Sequence, residues 1–356
     1  MKLLSIQYLR AIAVLLVVYC HAIDIQMEFG VSKQQNFYYL QNFGAIGVDI
    51  FFAISGFIIA YIAQDSVGPK QATDFIKKRF IRINPSYYFA SIFALILILL
   101  SHQHYLWLVI KTITIIPIFD YGKIFWPPLL SIGWTLGFEW FFYLIYAILI
   151  YFSIKKKSAY LILILGTLTL LGFIFPFKEI HYTFITNPIT WEFCFGVLIA
   201  YLYRRITISL NLAVLLLSVG LAVFLLNIFF GYGDLSEAPN ILAGKYCWQR
   251  VFQWGVASAL IVCGTLFIEK KLGVRTFKNK TLTLIGDASY SIYLIHYLFF
   301  MALDLLFKKI QFQSYGINSD LLIALLVIVA TIIGIVYYKF VEKFLIKKFS
   351  QIILRK

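Results

Sequence analysis

Ten runs of apolar residues, separated by short polar stretches, set the pattern of the chain: 3–23, 44–64, 83–101, 131–153, 159–176, 188–203, 209–230, 249–268, 282–303 and 320–340. About 20 apolar residues in an α-helix cross the ~30 Å hydrocarbon core of a bilayer, so each run is expected to be a spanning helix, with 188–203 the shortest. A helix bonds its own backbone groups where no water reaches them. The stretch 105–119 is interrupted by Lys111 and Pro117 and reads as an interfacial or re-entrant segment. No internal repeat or low-complexity tract breaks the series. The expected architecture is an all-α polytopic membrane protein, a bundle of about ten transmembrane helices that forms a single integral-membrane domain over 1–356.

Composition sharpens this picture without changing it. Of 356 residues, 62% are hydrophobic and 13% charged, which excludes an ordinary soluble domain. The net charge of +15 would suggest nucleic acid in a soluble protein. Here the basic residues cluster between apolar runs, where they determine topology and touch anionic lipid. With the N-terminus inside, the inner segments hold 22 Lys and Arg, the outer segments 8, and Arg10 completes the 31. Both termini are therefore expected in the cytoplasm. The first run continues past Arg10 without a small-residue cleavage site, which makes it an uncleaved span rather than a signal peptide. Cys20, Cys194, Cys247 and Cys263 lack the spacing of a disulfide framework or a metal site.

Against so apolar a background the polar residues inside the runs stand out, because ionisable groups in a membrane are costly and mark function by default. In YLRAIAVLLVVYCHA, residues 8–22, Arg10 and His21 fall about 20° apart on one helical face and about 16.5 Å apart along the axis. Glu139 lies among Trp134, Phe138, Trp140, Phe141 and Phe142, and such a carboxylate must find a partner or stay protonated. Helical rise puts His21, Asp49, Glu139 and His296 in the outer half of the bundle. Asp49 and Asp24 fall close enough to the boundary to be solvated. In DFIKKRFIRINPSYY, a segment expected on the cytoplasmic side, Arg79 and Arg82 are neighbours on a helix, suited to bidentate contact with phosphate. Each has a plainer reading as well: an interfacial histidine, a helix-locking ion pair, or basic residues that set topology.

Taken together, the Arg10-to-His21 spacing, GVDIFFAISGFIIAY at 47–61, RFIR at 79–82, WTLGFEWFFY at 134–143 and SYSIYLIH at 289–296 resemble the bacterial membrane acyltransferase 3 family. The resemblance implies an inner-membrane O-acyltransferase that moves an acyl group, usually acetyl, from acyl-CoA to an extracytoplasmic carbohydrate such as O-antigen, exopolysaccharide or a glycolipid. It implies His21 as the essential histidine, Arg10 as its paired basic residue and Glu139 as the acid of the WTLxxE motif. Arg79 and Arg82 take the positions associated with the acetyl-CoA donor. Asp49, Ser55, Trp134, Tyr143, Tyr293 and His296, within the matching motifs, are supporting candidates. Glu139 is expected to orient the imidazole or stabilise its cation. The partners implied are the donor, a carbohydrate acceptor stacked on the aromatic loops 24–43, 102–130 and 231–248, and membrane lipid, without nucleic acid or metal. A transporter or flippase would also line a path with ionisable residues, and a non-catalytic membrane partner or sensor would keep the fold alone.

Overall fold

A computed structural model describes residues 3–30, 43–100, 106–115, 128–229, 235–273, 279–312 and 318–354. The helices are α1 (Leu4–Phe29), α2 (Ile46–Ala63), α3 (Pro69–Leu100), α4 (Leu106–Thr114), α5 (Trp134–Tyr151), α6 (Lys157–Ile174), α7 (Ile180–Ile185) and α8 (Trp191–Arg205). They continue as α9 (Leu210–Phe229), α10 (Ala238–Leu242), α11 (Cys247–Arg250), α12 (Val256–Leu272), α13 (Lys280–Asp287), α14 (Ser289–Lys309), α15 (Ser319–Tyr337) and α16 (Lys343–Ile353). Among the described residues, ten helical segments are long and apolar enough to cross a membrane, one for each expected run.

The boundaries differ where polar residues prolong a helix. α3 starts at Pro69, with proline in the first turn where its missing N–H costs nothing, and runs on through Pro85. Arg79 and Arg82 are thus on the wall of a long helix rather than in a segment outside the bundle. The run 282–303 divides at Ala288 into α13 and α14, and the Asn279 side chain caps α13 by accepting from the Leu282 amide. The last span continues through a π-helical turn, Tyr338–Glu342, into α16, which buries no residue. In the 105–119 stretch, α4 has nine residues and is too short to span. Pro117 lies outside the described residues.

Packing relies on small residues, as expected where lipid competes with every apolar contact. At the α2–α8 crossing, a Cβ on Gly56 would stand 2.1 Å from the Phe193 carbonyl oxygen, and one on Gly196 2.0 Å from that of Ala53. Only glycine permits this approach. α6 and α9 lie at the periphery, with Leu163, Phe173, Leu215 and Phe229 exposed. α1 is surrounded by α2, α12, α13, α14 and α15. Its first turn is capped from α12, where the Glu269 carboxylate accepts the Leu4 amide (2.9 Å), the Ser5 amide (2.8 Å) and the Ser5 hydroxyl. This satisfies donors that a helix start otherwise leaves unpaired. We call the face of the bundle at which α1 begins proximal and the opposite face distal.

Candidate active site

Five helices place polar side chains around a proximal cavity of about 130 Å³. α1 supplies Arg10, α2 Ser55, α3 Arg79 and Arg82, α5 Glu139 and Tyr143, and α14 Ser289, Tyr290 and Tyr293. The Ser55 hydroxyl (2.9 Å) and the Tyr143 hydroxyl both donate to Glu139 Oε1. Arg10 Nε donates to Ser289 Oγ at 3.0 Å. Arg82 donates to Glu342, whose second oxygen accepts from Ser291. The Arg79 guanidinium lies 5.8 Å from the Phe75 ring centre and 5.9 Å from that of Tyr143, and its buried Nε makes no hydrogen bond. Three guanidinium groups therefore face one wall carboxylate, with Glu342 behind Arg82. The cavity favours an anionic ligand, and Arg79 has a donor to spare for it.

His21 belongs to the other half of the bundle. It lines two distal cavities, one of about 260 Å³ shared with Trp134 and Arg250, and one of about 690 Å³ between α1, the end of α3 and α14. His21 Nδ1 lies 3.2 Å from Asp24 Oδ2. With the proton held on Nδ1 by that carboxylate, Nε2 is the basic nitrogen. The ring stacks on His296 at 5.4 Å between centres and meets the edge of Tyr297 at 5.9 Å. His296 is fully buried, donates from Nδ1 to the Ile292 carbonyl (2.9 Å), and leaves Nε2 without a partner.

Two expectations are corrected by this arrangement. Glu139 does not orient His21: it is held in the proximal cavity by Ser55 and Tyr143, and the carboxylate beside the imidazole is Asp24, one helical turn further along α1. Nor is Asp49 solvated. It is 0% exposed and accepts two bonds from Arg250, at 3.0 Å from Nε and 2.7 Å from Nη2. Arg250 also donates to the carbonyls of Leu235 (2.8 Å) and Ala45 (3.3 Å), so the pair fastens α2 to α11 and its neighbouring loop. Sequence reasoning missed Arg250, counted among outer loop charges, and Glu342, set in a basic tail. A lone arginine at the edge of an apolar run and a lone acid among lysines were the available signals. Among the described residues no cluster of His, Cys, Asp and Glu is arranged to hold a metal ion.

Residues 3–339 match the acyltransferase 3 family model, described as an acyltransferase domain. The chain belongs to the acyltransferase 3 family. The exopolysaccharide production protein ExoZ of Rhizobium meliloti (strain 1021) is 29% identical over 320 residues, which cover 86% of this chain and 90% of that protein. No solved structure matches the chain. As an acyltransferase 3 protein with ten such apolar helices among its described residues, it is a multi-pass membrane acyltransferase.

Proposed function

We propose that the protein is an O-acyltransferase that moves an acyl group, acetyl in the first instance, from cytoplasmic acyl-CoA to a hydroxyl of an extracytoplasmic glycan, in the inner membrane of a bacterium. One observation carries the reading. Arg10, Arg79, Arg82, Glu139 and Tyr143, from three helices, converge on a proximal cavity that shares Val48 and Tyr293 with a distal cavity bearing His21. The excess of Lys and Arg on the expected inner segments supports a cytoplasmic proximal side.

In this reading Arg79 and Arg82 hold the phosphates of the donor, and its pantetheine arm, ~15–20 Å long by chain extension, climbs toward the distal half. Glu139, fixed by Ser55 and Tyr143, and Arg10 hold the arm's amides and the thioester carbonyl. His21, its tautomer set by Asp24, takes the proton of the acceptor hydroxyl at Nε2 while the oxygen attacks the thioester carbon. The C–S bond breaks as the C–O bond forms, and the proton passes to the sulfur, releasing free CoA. His21 as a transient acyl carrier gives the same balance in two steps. The relative named for exopolysaccharide production supports a secreted polysaccharide as acceptor.

Mass spectrometry of surface glycans tests this in cells. Glycans from a deletion strain should lack an O-acyl group, restored by the wild-type gene and not by His21→Ala expressed at the same level. Identical glycans with and without the protein would refute the assignment, and counterflow of a solute through the purified protein would favour transport.

A further inference from the structure

The reading just given leaves a wall to be crossed. Val48 of α2 and Tyr293 of α14 line both the proximal cavity and the 260 Å³ distal cavity. At the start of α5 the same boundary runs between Thr135, which faces the proximal cavity, and Ile132 and Trp134, which face the distal one. Along α1 it falls between Arg10 and Val17, since Val17, Cys20 and His21 are all distal. By helical rise the boundary therefore begins no closer than about 6 Å below His21. The proximal cavity, at about 130 Å³, is near the ~150 Å³ that accommodates a benzene ring. An acyl group confined there stays short of the imidazole.

From this geometry we infer that Val48 and Tyr293 form a gate through which the acyl group must pass, and that the gap between them sets the cross-section of the group transferred. The inference rests on the donor entering from the proximal side. The two gate residues differ in kind. Val48, 8% exposed and β-branched, has a stiff χ1 and offers a fixed edge. Tyr293, 7% exposed, is held by a latch. Its hydroxyl lies 3.0 Å from Thr135 Oγ1 and 3.0 Å from the Ile132 carbonyl, and Thr135 Oγ1 is itself 3.0 Å from that carbonyl. Two hydroxyl protons serve three contacts, so one contact is always without a proton and the latch exchanges its bonds readily. The Tyr293 ring also meets the edge of Phe51 at 6.3 Å between centres. The ring is the movable leaf and Val48 the jamb. The end of the pantetheine arm next to the thioester, its cysteamine and β-alanine units, is unbranched, so with acetyl it has the cross-section of a single alkyl chain and passes when the ring swings. An acyl chain branched next to the carbonyl is wider than this end of the arm and is stopped.

The test uses the full-length protein in lipid nanodiscs, with acetyl-CoA and isobutyryl-CoA as donors, binding by thermal shift, and transfer by acceptor-dependent release of CoA thiol. At saturating acetyl-CoA, Val48→Phe should transfer at least tenfold more slowly than the wild type, while an unchanged melting temperature without donor shows that it folds. Val48→Ala, which removes two methyl groups, should raise the isobutyryl-to-acetyl ratio of kcat/KM roughly tenfold or more. Wild-type rates in Val48→Phe, or an unchanged ratio in Val48→Ala, would overturn the gate while leaving the donor reading in place. A wild-type protein that binds no acetyl-CoA removes the donor reading and the gate together.

Discussion

The Asp49–Arg250 pair provides the sharpest separation of structural from chemical roles. Arg250 is 1% exposed, spends every nitrogen on a partner, and has a second buried carboxyl, Glu192, as electrostatic neighbour. Glu192 is 0% exposed and neighbours Asp49 as well as Arg250, and its Cγ would stand 3.0 Å from a Cβ on Gly255. Removing one member of a buried pair leaves an uncompensated charge and typically costs about 3–5 kcal/mol, whereas replacing both with apolar groups is often neutral. Arg250→Met should be the worse single change, because it strands the Asp49 carboxylate and leaves the carbonyls of Leu235 and Ala45 without their donor. Asp49→Leu leaves the guanidinium bonded to the carbonyls of Leu235 and Ala45, with Glu192 nearby, and should cost less within that range. The double variant should recover most of the loss. For a chain of this length the cost corresponds to a Tm change on the order of 5 °C. Cys194 and Cys247, each 2% exposed, make a thiol-reactive fluorophore a suitable reporter of unfolding. If Asp49→Leu melts within 1 °C of wild type yet loses acyl transfer, Asp49 takes part in the reaction and the structural reading is wrong.

Three further outcomes follow from the geometry. Arg79→Ala and Arg82→Ala each remove a charge-assisted contact to the donor and should weaken acetyl-CoA binding about tenfold or more, with reduced salt dependence, measured by calorimetry at two ionic strengths; unchanged affinity contradicts the donor site. Gly196→Val should abolish a monodisperse peak in size exclusion, because its Cβ meets backbone, while Gly166→Ala, which meets only the Trp191 ring at 3.4 Å, should be tolerated. Glu179, the N-cap of α7, has its carboxyl drawn from 4.5 to about 2 by the Tyr182 and His181 amides and the His181 ring. A depressed carboxyl stabilises above its unfolded value and loses this as pH falls toward 2. Glu179→Ala should therefore lower Tm at pH 7, by an amount that shrinks below pH 4.5, and a constant deficit contradicts the role of its charge.

The ten spans were legible because the bilayer imposes a length and a composition on any helix that crosses it. The same signal could not show that α3 begins at Pro69, since KQATDFIKK is polar and its Phe75 finds its packing partners, Tyr143 and Tyr146, on α5. Motif positions brought Arg10, Arg79, Arg82, Glu139, Ser55, Tyr143 and Tyr293 to one cavity and His21 and His296 into contact, as candidates chosen before any geometry. Pairings were not legible. Depth along a helix axis placed Glu139 and His21 in the same half, but the direction in which Glu139 points is decided by Ser55, 84 residues away, and Tyr143. Arg82 with Glu342 and Asp49 with Arg250 join residues 260 and 201 positions apart, and nothing local to either sequence marks the other.

The cap on α1 has a consequence for timing. Glu269 is made 265 residues after Leu4, which at ~5–20 residues per second is roughly a quarter of a minute to a minute of synthesis. Asn279, whose amide donates to the Tyr8 hydroxyl at 2.8 Å, and Ser289, which accepts from Arg10, are made later still. The helix that enters the membrane first, carrying both Arg10 and His21, thus waits for the last third of the chain before its proximal end is fixed. A nascent chain released before residue 269 has a first helix without its cap and an Arg10 without its serine.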